Sequence, residues 1–92
     1  MAAELELVPD PVRARLGITI NGQYGDLPDD IAYDLSDSEV RRIATEAVAT
    51  GGVPGIARTD ADFTNFVVDR LTREGVEPAR IILLRPKVPF GA

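Results

Sequence analysis

The chain contains no cysteine, no histidine and no tryptophan. Without cysteine there are no disulfides to staple a small fold and no thiol chemistry. Without histidine the usual general base near neutral pH is missing, and zinc and most transition metals lose their ordinary ligands. No Walker-type phosphate loop and no GxGxxG stands in the sequence. Ser36 has no base beside it to make it a nucleophile. The expectation is a protein that is not an enzyme and carries no cofactor and no metal. The acids Asp26, Asp29, Asp30, Asp34 and Asp37 lack the ligand spacing and central glycine of a calcium loop, so they read as a solvated loop and a helix cap.

Long apolar runs are also missing. None approaches the roughly 20 residues that cross a bilayer. The opening "MAAELELVPDP" has neither the basic flank nor the apolar stretch of a secretory signal. A cytoplasmic protein is therefore expected, with residues 1–11 as a flexible leader. Positive charge is scarce: Lys and Arg total 10 against 15 Asp and Glu, for a net charge of −5. That balance speaks against nucleic acid and against an anionic membrane surface, both of which are bound through basic side chains. Every basic residue is arginine except Lys87.

What is present is globular. Hydrophobic residues make up 45% of the chain and charged ones 27%, in 92 residues. That is one domain with a small core. "VRARLGITI" alternates, with Val12, Ala14, Leu16, Ile18 and Ile20 on one face, as a half-buried strand requires. Asn21-Gly22 follows, a strong hairpin turn because both residues tolerate positive φ. "QYGDLPDD" holds a glycine and a proline and reads as loop or broken edge, which puts the return strand at about residues 30–35. Ser36 and Glu39 form a capping box ahead of a helical stripe of Val40, Ile43, Ala44, Ala47 and Val48, closed by Gly51-Gly52. Arg41 and Arg42 fall on the polar side of that helix and read as solvated. Residues 60–74 fit two readings: a helix with Phe63, Phe66, Val67 and Leu71 as its stripe, or a strand centred on "NFVVD". "ARIILL" is the last strand and "RPKVPFGA" the ending.

The order "ITING", "IAYDL", "SDSEVRRIATEAVATGGVP", "FVVD", "ARIILLRPKVPFGA" resembles the ubiquitin-like β-grasp proteins over residues 16–92. A Ser-Asp pair caps the single helix, Gly-Val-Pro leaves it, and an apolar strand followed by arginine runs into a tail with glycine near its end. The resemblance implies an α+β fold: a β-grasp sheet of four to five strands packed on one helix, spanning residues 12–85, with residues 86–92 as a flexible C-terminal tail. It favours the strand reading of residues 63–69. The alternative is a ββααβ two-layer sandwich, which requires a long helix over residues 60–74.

Two sites follow from the resemblance. One is the tail, where Gly91 would be the residue joined to another protein, after removal of Ala92; Val88 and Phe90 there are apolar residues that gain nothing unless a partner covers them, the alternative being a frayed terminus. The partner would be an adenylating enzyme or a protease. The ending is Gly91-Ala92 and not a di-glycine, and it carries Pro86 and Pro89, both departures from the eukaryotic pattern. The other site is the sheet face away from the helix, where Val67 and Leu83 would point outward with Tyr24 nearby, either a protein-binding patch or core covered by the long hairpin turn or the leader. A second class of function stays open: an adaptor or small acidic inhibitor of phage or defence type that binds a protein partner without conjugation.

Overall fold

The computed structural model describes residues 12–75 and 79–87. The elements run β1 (Arg13–Ile20), β2 (Gln23–Asp26), β3 (Ile31–Ala32), α1 (Asp37–Ala49), β4 (Phe66–Thr72) and β5 (Arg80–Pro86). They make a five-stranded mixed sheet with the order β2-β1-β5-β4, and β3 also pairs with β1. β1 and β5 are the parallel central pair, and the other pairings are antiparallel. This is an α+β fold with one helix, compatible with a β-grasp. Residues 66–72 form a strand, so the sandwich with a second long helix is excluded.

The alternation of β1 does what its sequence requires. Ala14, Leu16, Ile18 and Ile20 are buried. Val12, expected on the same face, lies ahead of the strand and is exposed, although its carbonyl accepts the amide of Tyr33 at 2.7 Å. At the far end of β1, Asn21 and Gly22 take φ values of 53° and 75°, as a type I′ hairpin turn demands.

The return strand corrects the sequence reading. β2 begins directly after the turn, at Gln23, inside the stretch read as a loop. β2 pairs with the second half of β1, and β3 pairs with Arg13 and Ala14 on the same edge. The two are halves of one strand interrupted at residues 28–30. Gly25 reads as a strand breaker in the sequence. A Cβ there would stand 2.1 Å from the carbonyl oxygen of Pro54, so the glycine admits the loop that leaves the helix.

α1 is capped as expected. Ser36 Oγ accepts the Glu39 amide at 3.2 Å, and Glu39 Oε1 accepts the Ser36 amide at 3.4 Å. Val40, Ala44 and Val48 are buried against the sheet, with Ile43 and Ala47 packed partly beside them. Phe63, Val53, Ile56, Ile82 and Leu84 complete the core. Each such aliphatic or aromatic side chain stabilises the fold by about 1.5–3 kcal/mol through burial. Phe63 meets Phe66 edge to face, with centroids 4.7 Å apart.

Two arginines tie the helix to the sheet. Arg70, on β4, donates to Asp37 Oδ1 at 2.7 Å and to the carbonyls of Leu35 at 2.5 Å and Tyr33 at 3.4 Å. It locks the chain that enters α1 onto the sheet. Arg41, read from sequence as solvated, is half-buried and donates to the Phe66 carbonyl at 2.9 Å. The polar flank of α1 faces the end of β4, so only Arg42 stays exposed, 3.6 Å from Glu46 one turn on.

Candidate functional site

The helix covers one side of the sheet. The other side is laid out by strand registers. Gly17 on β1 stands opposite both Asp26 on β2 and Leu83 on β5, and Leu83 stands opposite Asp69 on β4. A second row runs Arg15, Ile81, Leu71. In a third, Tyr24 is paired with Thr19, and Val67 with Arg85. Because successive strand residues alternate faces, these side chains share the side that Leu16, Ile18, Ile82 and Leu84 avoid.

Tyr24 sets the geometry of this surface. Its ring lies over Gly17: a Cβ built on Gly17 would be 2.3 Å from the Tyr24 hydroxyl and 3.0 Å from Leu83 Cδ2. Glycine in the middle of a central strand costs strand stability, and here it makes the seat for the phenol. The hydroxyl donates to Asp26 Oδ1 at 2.7 Å. Partial burial, that hydrogen bond and the adjacent Asp26 charge push the Tyr24 pKa from 10.0 up to about 12. Even so, Tyr24 is 52% exposed and Leu71 44%. The structure thus brings Tyr24 and Leu83 together around Gly17. Val67 shares the face but sits beyond the ion pair of Arg85 with Asp69, 2.7 Å long.

Leu71 and Ile81 are the members that sequence reading missed. Leu71 was placed on a buried helical stripe in one of the two readings of residues 60–74. Counting in twos from Val67 finds it, once the segment is a strand. Val88, Phe90 and Gly91, the tail candidates, lie outside the described residues.

An apolar centre with charged neighbours (Asp26 and Arg15 on one side, Arg85 and Asp69 on the other) is suited to protein contact. Asp62 is held ionised below the usual carboxylate range by the hydroxyl and amide of Thr64, at 2.6 and 3.0 Å, which makes an ordinary turn. Among the described residues no group of three or more acids could hold a metal ion, and no helix is long and apolar enough to cross a membrane. No protein-family model, curated protein or solved structure matches the chain.

Proposed function

We propose that this chain is a non-catalytic, ubiquitin-like protein that works by being bound, and that its partner docks on the open sheet face around Tyr24 and Leu83. The observation that carries this is the exposure of Tyr24 and Leu71 on a sheet face that no described element covers. The parallel central pair, flanked by antiparallel strands and packed on one capped helix, supports the ubiquitin-like reading.

In its fuller form the protein is a prokaryotic modifier. Hydrolysis would remove Ala92. A partner enzyme would adenylate the freed Gly91 carboxyl with a nucleoside triphosphate, releasing diphosphate. Amide formation with an amine of the target would then release the nucleoside monophosphate. Mass spectrometry of cells expressing the chain with its natural neighbouring genes tests this form. A branched peptide joining Gly91 to another protein is the expected product. Finding only free, full-length chain overturns conjugation and favours the second reading, a stoichiometric adaptor or acidic inhibitor. That reading rests on the net charge of −5 and on the same exposed patch.

A further inference from the structure

The two edges of the sheet differ. One is made of β2 and β3, only four and two residues long, broken by Pro28 and followed by Asp29 and Asp30. The other is β4, seven continuous residues without proline, paired only with β5 among the described residues. A long unpaired edge is a template for another strand unless charges guard it. β4 has charges, Asp69 and Arg70, but each is drawn away. Asp69 holds Arg85, and Arg70 holds Asp37 and the carbonyls at the entry to α1.

A groove runs beside this edge. One open cavity of about 540 Å³ follows the backbone of residues 64–68 and is bounded by Asp37, Arg41 and Lys87. A second, of about 440 Å³, shares Arg41 and Thr64 and extends along α1 past Arg42 and Thr45. The lining is mixed: Asp62 also borders the second cavity, its carboxylate bonded to Thr64, and Arg42 is paired with Glu46. Arg41 and Lys87 take part in no ion pair among the described residues, and the Arg41 Nε is buried without a hydrogen-bond partner. The carboxylate of Asp37 is already engaged by Arg70.

We infer that the β4 edge and the α1–β4 groove bind an extended, acidic peptide segment of a partner protein, which adds to the sheet as a further strand. Backbone pairing with residues 68–72, beyond Phe66 whose amide and carbonyl are held by Phe63 and Arg41, supplies affinity, and alternate side chains supply choice. Carboxylates on one side of the added strand meet Arg41 and Lys87. Apolar side chains on the other side lie beside Val67 and Leu71. This site adjoins the open face at Val67 and Leu71 and is centred away from Tyr24 and Leu83.

The probe is a capped six-residue peptide alternating valine and glutamate, titrated into the full chain labelled with ¹⁵N. Expected are shifts and slowed exchange at the amides of residues 68–72. The valine–lysine peptide should bind roughly tenfold more weakly, and backbone N-methylation of the probe should abolish binding. Arg41→Met should weaken binding. Because it also removes the bond to the Phe66 carbonyl, Lys87→Glu on the exposed rim serves as the second variant and should weaken binding with the fold unchanged. Tyr24→Ala should leave it intact, which separates this site from the open-face reading. Equal binding of the two peptides, shifts confined to β2 and β3, or a concentration-dependent dimer that already protects β4 without peptide would each overturn the inference.

Discussion

The two faces of the sheet are built by the same alternating strands and do opposite things. Toward the helix, Leu16, Ile18, Ile82 and Leu84 are buried under α1 and Phe63. Away from it, Tyr24, Leu83, Ile81, Leu71 and Val67 form a surface with no described element over it. Each face also contains a glycine where a strand would ordinarily have a side chain. Gly25 faces fixed backbone at Pro54, whereas Gly17 faces the mobile end of Tyr24. The helix face is a packing solution. The open face is apolar area that no described element covers.

Substitutions can break this contrast. The largest effect is expected at the buried face, where Leu16→Ala or Ile82→Ala should cost about 2–5 kcal/mol in urea unfolding. Leu71→Ala, on the open face, should stay within about 0.5 kcal/mol. Equal losses would mean that the open face is part of the core. Next come the two glycines. Gly25→Ala forces a Cβ against the Pro54 carbonyl and should cost roughly 1–3 kcal/mol. Gly17→Ala should cost less, because the Tyr24 ring can swing aside, but it should return the Tyr24 pKa from about 12 toward 10.

The folded protein holds the Tyr24 proton more tightly than the unfolded chain does. The stabilisation is therefore complete below pH 10 and is lost as the pH rises from about 10 to about 12. Over that window the native chain should lose stability more steeply than Tyr24→Phe, read by denaturant midpoint at each pH. The phenolate absorbance step near pH 12 should vanish in the variant. The smallest effect belongs to the exposed Arg85–Asp69 pair. Arg85→Ala should change stability by about 0.2–1 kcal/mol, and less at high salt.

Much of this was legible from particular residues. The alternation of Ala14 to Ile20, the Asn21-Gly22 turn and the Ser36–Glu39 box are local patterns, and local geometry realises them. What was hidden depends on distant parts of the chain. Gly25 looks like a strand breaker until the Pro54 loop is placed against it. Arg41 looks like a solvent-facing charge until the Phe66 carbonyl, 25 residues away in the chain, comes into position, and Arg70 reaches carbonyls 35 and 37 residues away. Residues 60–74 were ambiguous because seven residues with valines and phenylalanine satisfy both periods, and only pairing with β5 decides. Of the open-face candidates, Tyr24 and Leu83 come together because of Gly17, and no sequence period announces that contact.

The claim that the open face is a docking surface has a direct test. A photo-reactive residue is placed at Thr19, paired with Tyr24 on the open face, or at Glu46 on the exposed side of α1, in cells that carry the natural neighbouring genes. The account predicts a discrete protein adduct from position 19, lost when Tyr24→Glu is added and the fold is retained, and none from position 46. Adducts of equal yield from both positions, or an adduct at 19 that survives Tyr24→Glu, would contradict it.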